Sequence, residues 1–160
     1  MTKLELSPQT VTLFENLTTF FPTSVFIDDD LRIRIECEHI VIGIHQVERY
    51  EKDVGFFIDL KGEKISFMYQ DVAYAISGDT QLLIQKFLGN SSVKFQNDLL
   101  AKNFIQFCVT NAEKLLEWPP SWFGKASHHS IEQLNRHFPD LAEKTRAVHE
   151  NLTREWATWA

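Results

Sequence analysis

Cysteine is scarce in this chain. Cys37 and Cys108 are the only two in 160 residues and lie far apart, with no C-x-x-C. That excludes a disulfide framework of the secreted kind and a cysteine-built zinc site; both read as buried thiols. Glycine is equally sparse, at six, and no pair is arranged as G-x-G-x-x-G or G-x-x-x-x-G-K, so no phosphate cradle for a nucleotide cofactor is visible. A strained G-x-S-x-G turn is missing as well, which removes the commonest serine nucleophile signature. No run approaches the ~20 apolar residues needed to span a bilayer, and Met-Thr-Lys-Leu-Glu-Leu-Ser-Pro is no signal peptide. The cytoplasm is the expected location. Repeats, low-complexity tracts and Ser/Gly linkers are also absent.

What is present is globular. Apolar residues make up 44% and charged residues 24%, and thirteen Phe with four Trp supply large side chains for a core. A chain of this length fits one domain, expected over residues 1–160, that buries ~70% of its unfolded surface without metals or disulfides.

The charge is one-sided. Residues 1–80 hold 14 of the 22 carboxylates against seven Lys and Arg, so this half carries the whole net charge of −6 and the second half is slightly positive. Such a balance repels nucleic acid and anionic lipid, and neither is an expected partner.

Ser7-Pro8 is a helix start, and Val11, Leu13, Phe14, Leu17, Phe20 and Phe21 follow at helical spacing, predicting a helix from about Pro8 to Phe21 that Pro22 ends. From Ser24 the period becomes two. Val25-Phe26-Ile27 is a short strand and Asp28-Asp29-Asp30 a turn. Leu31, Ile33, Ile35 and Cys37 alternate with charged residues, and the apolar parity flips at Ile40, Ile42 and Ile44. A break at Glu38-His39, by bulge or tight turn, accounts for the flip. After a polar loop from Gln46, Gly55 to Leu60 and Lys64 to Tyr69 form a hairpin around Lys61-Gly62-Glu63. Val72 to Ile76 fits a sixth strand or the start of a helix. Asp79 is expected to cap a helix over Thr80–Leu88, and Asn97 or Asp98 a long one that ends at Trp118-Pro119-Pro120. Ser130 with Gln133 resembles a capping box for a short helix to Phe138. A last helix, capped by Asp140, places Leu141, Thr145, Val148, Leu152, Trp156 and Trp159 on one face. The class is α+β: an N-terminal helix, a mostly antiparallel sheet of five or six strands, then a cluster of about four helices packed on it.

Chemistry is sparse, and no catalytic residue, metal ligand or cofactor is assigned. The Asp28 to Asp30 run lacks the spacing of a calcium loop and reads as a solvated turn. Among six histidines, His128 and His129 with His137 and His149 are the densest set, without the i, i+4 pairing around a Glu that holds zinc. His128, His129 and His137 support one alternative, an enzyme with a histidine acid or base in a pocket between the sheet and the C-terminal helices. A second alternative is a self-associating scaffold built on Trp156 and Trp159, so the protein is expected to be a monomer or homodimer.

The leading expectation rests on charge. Asp28, Asp29, Asp30, Glu36, Glu38, Glu48, Glu51 and Asp53 gather on the predicted sheet and its loops, with Trp122 as an aromatic anchor at the contact. They are expected to bind a basic protein partner. That describes a non-enzymatic inhibitor of the immunity-protein kind, neutralising a basic toxin or nuclease.

Overall fold

A computed structural model describes residues 4–47, 53–63, 65–78 and 93–157, with no account of the Val93 side chain. The expected helix over Thr80–Leu88 lies outside these residues, as do Glu48, Glu51 and Trp159.

Helix α1 (Pro8–Glu15) starts as its sequence predicts, with the Ser7 hydroxyl accepting the Thr10 N–H at 3.3 Å and Pro8 in the first turn. It is shorter than expected: the chain tightens into a 3-10 turn at Asn16–Thr19, which places Leu17 and Phe21 in the core.

Five antiparallel strands follow in sequential order, β1 (Val25–Asp28), β2 (Arg32–Glu36), β3 (Ile40–Gln46), β4 (Val54–Leu60) and β5 (Ile65–Met68). The parity break is a tight turn. Cys37 N–H donates to the Ile40 carbonyl at 2.9 Å, leaving only Glu38 and His39 in the loop. In the resulting register Ile33 faces Ile44 and Ile35 faces Ile42, and all four are fully buried on the face that meets the helices. Each contributes roughly 1.5–3 kcal/mol by burial.

The other face of the sheet is covered by its own side chains. Gly43 pairs with Phe57 and His45 with Gly55, and each ring lies across the glycine opposite. The Arg32 guanidinium then stacks on Phe57, 4.4 Å from the ring centroid.

Tyr69 leaves the sheet at once as α2 (Tyr69–Ser77), so Val72 to Ile76 is helix rather than a sixth strand. Asp71, in its first turn, accepts the Met68 backbone N–H, and Gly78 closes the helix at φ +73°. Helix α3 (Val93–Thr110) starts before the residues expected to cap it. Asn97 and Asp98 instead hold the N-terminal segment: Asn97 donates to the Glu5 carbonyl at 3.1 Å, and Asp98 accepts the Ser7 N–H at 2.9 Å. A single turn, α4 (Ala112–Leu115), leads to Trp118.

Helix α5 (Phe123–His137) starts well before Ser130 and runs through the expected capping box. Helix α6 (Pro139–Ala157) buries Ala142, His149, Leu152 and Trp156. The expected stripe holds at Leu152 and Trp156 but not in the first half of the helix, where Leu141 and Val148 remain 50% and 45% exposed. Ala142 and His149 have taken the inward positions, because close approach of α5 favours a small side chain and a polar partner there. Among the described residues no helix is long and apolar enough to cross a membrane.

A Cβ at Gly43 would stand 1.9 Å from the Phe57 ring. Gly43→Val is expected to lower unfolding free energy by about 1–3 kcal/mol through overpacking, read as a lower urea midpoint with an unchanged m-value. An unaltered midpoint would show that Phe57 leaves that seat at little cost.

Candidate functional site

The register of the sheet decides which carboxylates stand together. Arg32, Arg34, Glu36, His45 and Asp59 lie on the face that no helix covers among the described residues. Arg32 reaches Asp59 at 3.3 Å, and Arg34 bridges Glu36 at 3.1 Å and Asp29. Such half-exposed pairs contribute little to stability, about 0–1 kcal/mol each. Their effect is on potential: the strand face is close to neutral where the sequence led one to expect an acidic surface. Burial pushes the Asp59 carboxyl up, against Ser66, Arg32 and His45, while burial and Arg32 hold His45 below its ordinary value.

The remaining acids divide between the two ends of the sheet. At one end Glu38 is exposed, 3.6 Å from His39, and shares the rim with Lys61 and Glu63. Lys61 bonds both its backbone N–H and its ammonium into the β2–β3 turn, to the carbonyls of His39 and Cys37. At the other end the Asp28–Asp30 turn meets the start of β4. Asp28 Oδ1 accepts the Asp30 N–H at 3.0 Å, which supports Asp30 at φ +64°. Gln46 N–H donates to the Leu31 carbonyl, and Val47 N–H and the Gln46 amide both donate to the Asp53 carbonyl. Four aspartates, 28, 29, 30 and 53, thus occupy one rim, separated from Glu38 by a strand length of ~20 Å.

Trp122 is not at that rim. It is 3% exposed, donates its indole N–H to the Lys114 carbonyl at 3.0 Å and packs on Phe67, so its ring belongs to the core rather than to a contact. Trp156 is equally enclosed, against Trp118 and Phe123.

The histidines do not converge. His128 is exposed and pairs with Glu132 one turn on; His137 is exposed beside Phe138. His129 crosses to α2, where its Nδ1 and Asp71 Oδ1 are 2.7 Å apart and its ring stacks on Tyr74. Burial raises the Asp71 carboxyl, and the His129 contact pulls it back. Sequence reasoning missed Asp71 and Ser127, and placed His149 only in a loose histidine set without its partner. Ser127 Oγ and His149 Nδ1 share a 2.6 Å hydrogen bond, both residues buried, beside a groove of about 590 Å³ between α5 and α6. No local signal marks these pairs, whose members are 58 and 22 residues apart.

The two pairs resemble separated parts of a triad, a carboxylate-oriented imidazole and a hydroxyl with a base. They cannot act together. Ser127 and His129 are two residues apart on one helix, so their side chains point about 160° apart around its axis. What they do is hold α5 to α2 on one side and to α6 on the other. Both thiols are buried, which pushes Cys37 up to about 11 despite Lys61 and raises Cys108 as well. Among the described residues no three His, Cys, Asp or Glu side chains gather as metal ligands.

Burial keeps His149 below its ordinary imidazole value of 6.5. The unfolded chain therefore binds the extra proton first, and the stabilisation present above pH 6.5 is lost as pH falls through the folded value. His45 acts with the same sign. Urea midpoints are expected to fall between pH 7.5 and pH 5.5, with a shallower fall in His149→Asn; identical slopes would remove His149 from the account. Ser127→Ala is expected to cost about 1–3 kcal/mol at pH 7.5, measured the same way.

Comparison with protein-family models, with curated proteins and with solved structures gave no match.

Proposed function

We propose that this protein is a non-enzymatic binding domain that covers a basic surface of another protein, as an inhibitor or immunity-type protein neutralises a toxin or nuclease. The docking end is the rim formed by the Asp28–Asp30 turn and Asp53. One observation carries the reading: the hydrogen bonds from Gln46 and Val47 to Leu31 and Asp53 bring four carboxylates from separate loops to a single end of the sheet. Arg32 pairs with Asp59 and Arg34 with Glu36 on the strand face and with Asp29 of the rim, so Asp28, Asp30 and Asp53 are the rim carboxylates that a cationic partner would meet. Glu36 is thereby moved out of the proposed contact, and Glu38 stands at the far end.

The acidic half of the sequence is largely the sheet layer, and the slightly basic half is the helical layer behind it. This polarity orients an approaching basic protein toward the sheet. Two free thiols suit the reducing cytoplasm as the place of action.

The test needs no knowledge of the partner. Isotope-labelled protein titrated with a short oligolysine should show amide shifts concentrated at Asp28–Leu31 and Asp53, diminishing as salt is added. Asp30→Asn combined with Asp53→Asn should weaken that binding about two- to fivefold. Shifts centred on α5 and α6, or an affinity indifferent to salt, would overturn the reading.

A further inference from the structure

Helices α5 and α6 pack antiparallel, so the last turns of α6 lie beside the first turn of α5, where Trp156 meets Phe123 at 4.8 Å. The groove of about 590 Å³ between them has an apolar floor and one charged end. Phe123, Ser127, Ile131 and His149 make the floor, and each is less than a tenth exposed. Ser127 Oγ meets His149 Nδ1 there. A hydroxyl can make three hydrogen bonds, so Ser127 keeps bonding capacity toward the groove. Burial holds His149 below its ordinary value, and near neutral pH the floor carries no charge. Gly124 and Arg154 form the charged end. Arg154 bonds the Asn151 side-chain oxygen at 2.6 Å and the Glu150 carbonyl at 3.5 Å, but no carboxylate among the described residues. The Phe123 and Ala126 N–H groups donate to the Pro120 and Trp122 carbonyls. Those of Gly124 and Lys125 have no partner among the described residues, and no side chain caps the helix. Elsewhere on the walls Arg146 pairs with Glu143 and His128 with Glu132, while Glu150 stands one turn before Arg154 without an ion pair to it.

We infer that this groove binds a small molecule with a planar apolar body and one anionic group, a carboxylate or a phosphate. The body lies over Phe123 and Ile131, and the anion sits at the Gly124 and Arg154 end. Three features specify that chemistry. The volume falls within the ~300–1,000 Å³ of small-molecule pockets. A buried floor of two apolar side chains and an uncharged ring, with a single hydroxyl among them, matches an apolar body that one polar atom orients. The sign comes from convergence: a guanidinium with no carboxylate partner faces the uncapped, positive end of a 15-residue helix. Glu150 opposes the anion from one turn away, so its removal strengthens binding. This groove lies in the helical layer and differs in sign from the aspartate rim, and it stands or falls independently of the proposed function.

The probes are 1-naphthoate, 1-naphthyl phosphate and the neutral 1-naphthalenemethanol, each titrated into isotope-labelled protein and followed by amide shifts. Both anions should shift Gly124, Lys125, Ser127 and Arg154, and the alcohol should bind at the same place about fivefold more weakly. The tighter of the two anions tells a carboxylate ligand from a phosphate one. Arg154→Gln should weaken both anions about fivefold and leave the alcohol unchanged, whereas Glu150→Gln should strengthen both anions about two- to fivefold. A Cβ added at Gly124 meets nothing within 4 Å, so Gly124→Leu should keep the fold, narrow the groove and weaken all three probes. Far-UV dichroism checks that each variant is folded. Anions that bind no better than the alcohol, that are indifferent to Arg154→Gln, that shift residues outside α5 and α6, or that give no shifts at millimolar concentration would overturn the inference.

Discussion

The two-residue turn at Glu38 and His39 governs the rest of the sheet. Because it pairs Cys37 with Ile40, odd-numbered residues of β2 stand opposite even-numbered residues of β3, and the isoleucines of both strands share one buried face. The same parity sends Arg32, Arg34, Glu36, Gly43 and His45 to the other face. A slip of one residue would bury two guanidinium groups and expose Ile33 and Ile35. His39 helps to fix the turn from outside, its ring stacked at 4.5 Å on Trp118, which in turn packs against Trp156.

From that register follow both the neutral strand face and the acidic rim. Two arginines of β2 lie within reach of carboxylates on β2, β4 and the β1–β2 turn, so the charge that the composition assigns to the sheet is redistributed along it. On the helical side one element plays a comparable part. Helix α5 holds α2 through His129 and Asp71, and α6 through Ser127 and His149. The Ser127–His149 pair is buried and the His129–Asp71 pair partly so, and away from water a satisfied polar contact orders packing while a broken one is costly.

The fold was legible wherever a periodic pattern met a turn signal. The β2–β3 parity flip, the Lys61-Gly62-Glu63 hairpin and the Ser7 cap each express a local rule that the three-dimensional structure keeps. What was not legible depends on partners distant in sequence. The i, i+4, i+7 pattern of Leu141, Thr145 and Val148 describes an apolar stripe correctly, yet the approach of α5 turned the helix so that Ala142 and His149 face inward. Ser130 and Gln133 have the spacing of a capping box, but Phe123, Ala126 and Ile131 carry the helix through it by packing. The acidic site was legible as a list of residues and not as an arrangement. Composition counts charges, whereas the cross-strand register decides which of them meet Arg32 and Arg34. Trp122 shows the same limit: enrichment of tryptophan at contacts is equally consistent with a ring that closes the core.

The central claim is electrostatic, that negative potential is concentrated at the Asp28–Asp30 and Asp53 rim and is nearly absent over the strands. Its most direct measurement compares proton relaxation enhancements produced by cationic and anionic nitroxides of the same shape, residue by residue, in low salt. The account expects the cationic probe to be enriched at Asp28 to Leu31 and at Asp53, with near parity of the two probes over Arg34, Glu36 and Asp59. An excess of the cationic probe along the strand face, or an even spread around the molecule, would contradict it.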